Sequence, residues 1–112
     1  MKEHPMAAYA IANVHAVEFG PDIVEYLQRI DATLEPFGGR FLVHGGQVEA
    51  VEGSWGKDLI IIEFPDHDRL RAWYDSPEYQ EILPLRTRHM TADVAFAHGT
   101  PTGYRGADAL KH

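Results

Sequence analysis

The sequence predicts an α+β fold in which two helical regions cover one face of a four-stranded antiparallel sheet. Residue types alternate with a period of two near both ends of the chain, which is typical of strands. A helical stripe of apolar residues follows the first alternation, and two further extended runs precede a second helical region. The resulting order, β-α-β-β-α-β, is that of the ferredoxin-like pattern.

The first strand is predicted over residues 7–15. One face carries small side chains, Ala8, Ala10, Ala12 and Val14, and the other carries Tyr9, Ile11, Asn13 and His15. The usual order of this fold places the last strand beside the first, so we expect the alanines to lie next to Ala95 and Ala97. Small side chains either let a helix approach closely or leave a cavity. We favour close packing, because natural cores rarely contain voids.

The first helix is predicted to begin at Pro21, because proline is favoured at the first helical position. Its stripe consists of Ile23, Tyr26, Leu27, Ile30, Leu34 and Phe37, and Gly38-Gly39 ends it. The second strand is predicted over residues 40–44. Gly45-Gly46 then forms a turn, and residues 48–51 are predicted to extend the hairpin.

The third strand, predicted over residues 57–64, is apolar on both faces from Leu59 to Ile62. Such a strand must be covered on both sides. The helices cover one side, and a second copy of the same sheet is the simplest cover for the other. The sequence therefore predicts a homodimer.

The remaining elements follow from helix-capping residues. Asp66 is predicted to cap a short helix, and Ser76-Pro77-Glu78 to begin another. Alternation returns over residues 92–98 as the last strand. We therefore expect a flexible N-terminus (residues 1–6), a single domain (residues 7–98) and an irregular C-terminal arm (residues 99–112).

Four segments, Gly38–Gly46, Glu52–Trp55, Leu59–Pro65 and Trp73–Tyr79, together resemble the signature of the small bacterial domain-of-unknown-function family numbered 1330. The resemblance covers residues 7–98, with the segments in matching order. It implies a dimeric α+β barrel, the same assembly that the third strand predicts. It also supports the positions of Ser76 to Tyr79 and of Arg86 as site positions, without assigning them roles.

Composition excludes several classes of function. The formal net charge is −7 and no basic stripe is present, which argues against nucleic-acid binding. The chain has no cysteine, so it has no disulfide, thiolate nucleophile or cysteine-ligated zinc. The N-terminus lacks the apolar core of a signal peptide and no apolar run is long enough to span a membrane. We expect a cytoplasmic protein with no membrane partner.

Arg40 and Glu63 are the most informative pair of charged residues. A symmetric hairpin register places residue 40 opposite residue 63 and residue 42 opposite residue 61. Glu63 continues the apolar face of its strand, so we expect a partner for its carboxylate. Two interpretations stay open: an anion-binding guanidinium beside a carboxylate, or a structural ion pair.

The other candidates also have structural alternatives. Trp55 lines a pocket or caps the core, Ser76 faces a cleft or only caps a helix, and Tyr79 binds a ligand or fills the core. Arg86 binds an anion or pairs with Glu78 or Glu81. We assign Glu63 and Tyr79 as candidate catalytic residues, and we assign as candidate ligand-binding residues Arg40, Trp55, Tyr74, Ser76 and Arg86.

The seven histidines show no spacing typical of metal ligands, so we predict no metal and no cofactor. Three functional hypotheses remain. In the first, a cofactor-independent enzyme acts on a small anionic organic molecule: Arg40 holds the anion, Glu63 or a histidine moves protons, and Tyr74 or Tyr79 donates hydrogen bonds. In the second, the same pocket binds or senses a ligand without turnover. In the third, the protein is only a structural dimer.

Overall fold

A computed structural model of the protein describes residues 6–46 and 48–111. The elements are β1 (Ala8–Val17), α1 (Pro21–Leu34), β2 (Arg40–Gly45), β3 (Asp58–Phe64), α2 (His67–Asp75), α3 (Pro77–Thr87) and β4 (Met90–His98). Short 3-10 helices span Glu35–Phe37 and Gly106–Lys111. The predicted flexible N-terminus lies outside the described residues, apart from Met6.

The four strands form one sheet in the order β2-β3-β1-β4, with every neighbouring pair antiparallel. The predicted ferredoxin-like architecture is therefore confirmed. Arg40 lies opposite Glu63, as the hairpin register predicts, but Ile61 lies opposite Val43. The expected pairing of residue 42 with residue 61 is wrong, because the register shifts between Phe41 and Val43 and leaves Leu42 as an extra residue.

The predicted extension of the hairpin over residues 48–51 is also wrong, because these residues lie in the loop between β2 and β3. Gly45, Gly46 and Gly53 have positive φ angles of 74°, 75° and 79°, which turn the chain away from an extended path. The loop returns to the sheet at Gly56, whose N–H donates to Asn13 Oδ1 at 2.9 Å. A Cβ at Gly56 would clash with the carbonyl oxygen of Val14, so only glycine permits this approach.

All three helices contribute to one core on one face of the sheet. That core includes Ala8, Ala10, Ile62 and Phe64 from the strands. The predicted caps are present, because the side chain of Asp66 accepts from the Arg69 N–H at 2.8 Å at the start of α2. The opposite face, which we call the outer face, carries the alternate strand residues Tyr9, Ile11, Val43, Leu59, Ile61, Glu63, Ala95 and Ala97.

The expected neighbourhood of the β1 alanines is wrong. Ala8, Ala10 and Ala12 lie opposite His98, Phe96 and Val94, whereas Ala95 and Ala97 lie opposite Ile11 and Tyr9 on the outer face. Directly opposite residues of an antiparallel pair share a face. The actual register therefore surrounds the alanines with larger side chains, and this matters for the space above them.

Candidate ligand-binding site

A cavity of about 300 Å³ lies between the sheet and its helices. Ala10 and Ala12 of β1 line it, flanked by Ile60 and Ile62 of β3 and by Phe96 of β4. The larger side chains of the flanking strands hold the helices above the sheet, so the helices do not descend onto the alanine methyl groups. Our preference for close packing is therefore wrong at Ala10 and Ala12, although Ala8 is fully buried in the core.

Aromatic rings make up much of the remaining wall. The helices contribute Tyr26, Trp73, Tyr74 and Tyr79. The rings contact one another, with centroids 4.1 Å apart for Trp73 and Tyr79 and 5.4 Å apart for Tyr74 and Phe96. The indole N–H of Trp73 is fixed by a 3.0 Å hydrogen bond to Thr33 Oγ1. Because these rings pack against one another, they give the cavity a defined shape.

Arg86 is the cation of this cavity wall. It lies in the last turn of α3, on the same buried face as Tyr79 and Ile82, and is only 9% exposed. Its guanidinium carbon is 5.9 Å from the centroid of the Tyr26 ring. Among the described residues, no carboxylate lies within ion-pair distance of Arg86. The alternative that Arg86 pairs with Glu78 or Glu81 is not seen among the described residues, and Glu81 instead pairs with Arg29.

Two tyrosine hydroxyls meet beside Arg86. The hydroxyl oxygens of Tyr26 and Tyr79 are 2.7 Å apart, so one donates to the other. Burial, reinforced by the neighbouring Tyr79, raises the pKa of Tyr26, and its phenol therefore keeps its proton. Burial works to lower the pKa of Arg86, but the two phenol oxygens more than offset it, and the guanidinium remains charged.

The mouth of the cavity lies at one end of the sheet. Four exposed apolar side chains line the cavity there and form its rim: Val17, Phe19, Leu27 and Val94. Val17, the last residue of β1, pairs with Met90, the first residue of β4. Because Arg86 precedes Met90 by four residues, the cation lies toward this end, whereas Trp73 and Tyr74 line the interior.

The predicted pair of Arg40 and Glu63 lies on the outer face, away from the cavity. Glu63 Oε1 accepts from Arg40 Nε at 2.8 Å and lies 2.8 Å from Arg40 Nη2, and its Oε2 accepts from the Tyr9 hydroxyl at 3.3 Å. The Arg40 side chain is 71% exposed and that of Glu63 is 23% exposed. Both charges are therefore already satisfied within the chain.

Two other candidates also lie outside the cavity wall. Trp55 is exposed in the β2–β3 loop, where its indole N–H donates to the carbonyl of Glu52 at 3.2 Å. Ser76 is buried, and its hydroxyl is fully engaged at the start of α3. It donates to the Trp73 carbonyl at 2.7 Å and accepts from the Tyr79 N–H at 3.2 Å.

Of the seven candidate residues, the structure thus brings together three in the cavity wall: Tyr74, Tyr79 and Arg86. Sequence reasoning missed Tyr26 as a site residue and treated it only as part of the α1 stripe. The available signal was a phenol within an otherwise apolar stripe, since a buried tyrosine hydroxyl needs a partner. That partner, Tyr79, is 53 residues away in the sequence.

The five histidines that the structure describes occupy four separate surroundings. His44 lines the cavity near its mouth and stacks on Phe41 with centroids 4.4 Å apart. His67 stacks on His98, His15 bonds Asp93, and His89 bonds two carboxylates. Within residues 6–46 and 48–111, no three His, Asp or Glu side chains are grouped as metal ligands. No helix in that part of the chain is long and apolar enough to cross a membrane.

Fold and site together define a ferredoxin-like α+β protein with an apolar cavity between its sheet and its helices. The chain belongs to the DUF1330 family, a domain of unknown function, whose family model matches residues 7–100. The predicted family is therefore confirmed. No protein of curated function matches the sequence.

Solved structures show the same fold at low sequence identity. A protein of unknown function from Rhodopseudomonas palustris is 14% identical with a TM-score of 0.61, covering 85% of this chain and 83% of that one. A dimeric ferredoxin-like protein of unknown function from Thermobifida fusca is 12% identical with a TM-score of 0.59, covering 84% and 92%. SnoaB, a cofactor-independent oxygenase from Streptomyces nogalater, is 14% identical with a TM-score of 0.54, covering 92% and 100%.

Proposed function

We propose that the protein binds a small organic anion, with one charged group on an apolar body, in the cavity between the sheet and the helices. The observation that carries this proposal is Arg86, a buried cation without a carboxylate partner among the described residues. Two phenol oxygens keep the guanidinium charged, but neither of them carries a negative charge. An anion placed against the guanidinium would accept charge-assisted hydrogen bonds there, and these favour binding.

The donors around Arg86 favour an oxyanion. A guanidinium offers parallel N–H groups that match the two oxygens of a carboxylate or sulfonate. In the hydroxyl pair of Tyr26 and Tyr79, one O–H bonds the other tyrosine, which leaves the second O–H free to bond a ligand oxygen. Because the pKa of Tyr26 is raised, this pair acts as a donor rather than as a base.

The rest of the wall favours an apolar body on the ligand. The interior beyond Arg86 is lined by alanine, isoleucine and aromatic side chains, and its volume of about 300 Å³ suits a small molecule. Among the described residues that line the cavity, Arg86 is the only arginine and there is no lysine, so a second negative charge in the ligand would find no second cation of that kind. We therefore infer a monoanion whose charged group lies toward the mouth and whose apolar part lies toward Trp73 and Tyr74.

Acid–base catalysis without a cofactor is the second candidate function, and His44 is the observation that favours it. Its imidazole lines the same cavity, so it is placed to take a proton from a bound ligand. Glu63 does not suit that role, because it lies on the outer face and is held by Arg40. SnoaB, which shares the fold, is a cofactor-independent oxygenase. Deuterium exchange at carbon in a panel of small keto acids, lost in His44→Gln, tests this candidate.

We also propose that the outer face pairs with that of a second copy to form a homodimer. The apolar residues Ile11, Leu59 and Ile61 lie on this face, and none of the described helices packs over them. Large uncovered apolar patches are uncommon on monomers. The ferredoxin-like protein from Thermobifida fusca is described as dimeric, which supports the same arrangement here.

The binding proposal is tested with two probes that differ by one charged group, anilinonaphthalene sulfonate and the uncharged phenylnaphthylamine. Each is titrated into the protein in a Trp55→Phe background, so that Trp73 in the cavity wall reports binding. We expect Arg86→Met to weaken binding of the sulfonate roughly tenfold to a hundredfold, the value of one charge-assisted hydrogen bond. Binding of the neutral probe should change little.

Arg88→Met is the matched control, because Arg88 is an exposed arginine two residues further along the chain. It removes the same charge from the protein without touching the cavity. If Arg86→Met and Arg88→Met bind the sulfonate equally well, the proposed site is wrong.

A further inference from the structure

The rim of the cavity mouth includes one large side chain on a short connecting segment. Phe19 lies between β1 and α1, lines the cavity and is 71% exposed. Its neighbours are Glu18 and Gly20, and α1 begins at Pro21. Gly20 provides no side-chain hydrogen bond to cap the helix. Few local contacts therefore fix the segment that carries Phe19.

His89, in the turn between α3 and β4, supplies the missing anchor from both sides of Phe19. Its Nδ1 lies 2.9 Å from Glu18 Oε1, and its Nε2 lies 2.9 Å from Asp22 Oδ2. The carbonyl of His89 also accepts from the Glu18 N–H at 2.7 Å. One residue thus ties down the chain immediately before Phe19 and the first turn of α1 immediately after it.

This arrangement requires the charged form of His89. An ionised carboxylate only accepts hydrogen bonds, and a neutral imidazole has only one N–H to donate. Both ring nitrogens face carboxylates, so both must carry protons. Hydrogen bonds to Glu18 and then Asp22 raise the pKa of His89, and these two are the charged groups that act on it from the β1–α1 segment and from α1.

We infer that Phe19 is the gate of the cavity and that His89 is the positioning residue that holds this gate in place. The inference rests on the proposed ligand site. With the bridge intact, Phe19 narrows the mouth and slows ligand exchange. When His89 loses its charge, one carboxylate contact is lost, the segment from Glu18 to Gly20 loosens, and the ligand enters and leaves faster.

The direction of the pH effect follows from the raised pKa. The bridge is complete below the ordinary histidine pKa of 6.5 and is lost as pH rises through the higher pKa of the folded protein. The gate is therefore held at mildly acidic pH and released at alkaline pH.

The first test needs no ligand. Amide hydrogen exchange is compared for Glu18, whose N–H bonds the His89 carbonyl, and Gly99, whose N–H bonds the Ala7 carbonyl at the other end of the β1–β4 pair. As pH rises, we expect the amide of Glu18 to lose protection from exchange relative to the amide of Gly99. In His89→Gln, we expect the amide of Glu18 to be less protected at every pH. An unchanged ratio of the two rates in both experiments overturns the role of His89.

The second test measures association and dissociation rates of anilinonaphthalene sulfonate by stopped-flow fluorescence across the same pH range. In the natural sequence both rates should rise several-fold with pH. Phe19→Ala and His89→Gln should be fast at all pH values. His89→Lys keeps a cation between the two carboxylates and should restore slow exchange without pH dependence.

His15→Gln is the matched control, because His15 bonds a single carboxylate, that of Asp93, and neither residue lines the cavity. It should leave the rates unchanged. If binding depends on Arg86 but its rates do not change with pH or in His89→Gln and Phe19→Ala, the gate is wrong and the binding site is still supported. Binding that does not depend on Arg86 overturns the proposed function, and the gate with it.

Discussion

The outer face and the cavity each contain one arginine at the centre of a polar cluster, and the two arginines differ in their partners. Arg40 is exposed and bonds Glu63, which a tyrosine also contacts. Arg86 is buried and has two phenols nearby but no carboxylate among the described residues. In the first cluster a carboxylate balances the charge of the arginine, whereas in the second no described carboxylate does so, and there we propose that an anion binds.

This difference shows why the more conspicuous pair is the less suitable site. The oxygens of Glu63 already accept from an arginine and a tyrosine, so this carboxylate is engaged within the chain. The Arg40 guanidinium is likewise engaged with Glu63, so fewer of its N–H groups are available to hold a ligand. Arg86 has no carboxylate competitor among the described residues, so its N–H groups are better placed to bond an anion in the cavity.

The largest effect is expected for a charge on the outer face. Ile61→Asp places a carboxylate where we propose that the second copy packs, and burying it there costs several kcal/mol. In light scattering at one concentration, we expect the natural sequence to have the mass of a dimer and the variant to have the mass of a monomer. Leu110→Asp, at an exposed position, is the control and should assemble normally. An Ile61→Asp protein that remains fully dimeric contradicts the proposed interface.

The next effect concerns the cavity. Arg86→Met replaces a buried charge by an apolar side chain of similar length, and two phenol oxygens already offset the burial of that charge. We therefore expect the free energy of unfolding to change by no more than about 2 kcal/mol. Thermal melting in the absence of ligand measures it. A marked loss of stability would show that the contacts of Arg86 with Tyr26 and Tyr79 serve the fold rather than a ligand.

A smaller effect is expected for Arg40→Ala. Its side chain is 71% exposed, so water screens the pair, and the loss should be about 1 kcal/mol or less. Arg69→Ala is a matched control, because Arg69 is 57% exposed and its partner Asp66 is 23% exposed, the same value as Glu63. If Arg40→Ala destabilises much more than this control, the assembled protein covers Arg40, and the two clusters differ less than the single chain indicates.

The smallest effect is a pH dependence at the cavity mouth. Because the pKa of His89 is raised, its contribution to stability is complete below pH 6.5 and is lost as pH rises through the raised value. Melting temperatures measured across this range should fall slightly for the natural sequence, and the fall should be absent in His89→Gln. A melting curve series that is identical for both proteins contradicts this contribution.

The periodicity of the sequence predicted the strands and helices well, because each of them is determined by the pattern of its own residues and by the turn residues beside it. The predicted strand over residues 57–64 differs by one residue from β3, and the alignment of Arg40 with Glu63 followed from the hairpin alone. The register error at Leu42 has a local cause that the hydrophobic pattern does not reveal, since a bulge changes the count of residues without changing their types.

The candidate site was harder to predict because it depends on distances between layers. Alternation shows that Ala10 and Ala12 share a face, but not how far above them α1 and α3 lie. That height is set by large side chains on neighbouring strands and helices. The contact between Tyr26 and Tyr79 joins residues 53 positions apart, and no local pattern predicts it.

The bulge at Leu42 also bears on how the protein avoids unwanted association. Strand β2 is one edge of the sheet, and an edge with free N–H and C=O groups is a template on which foreign strands can add. An extra residue in the middle of a six-residue strand breaks the regular spacing of those groups and increases the local twist. Growth into fibrils from this edge is thereby disfavoured.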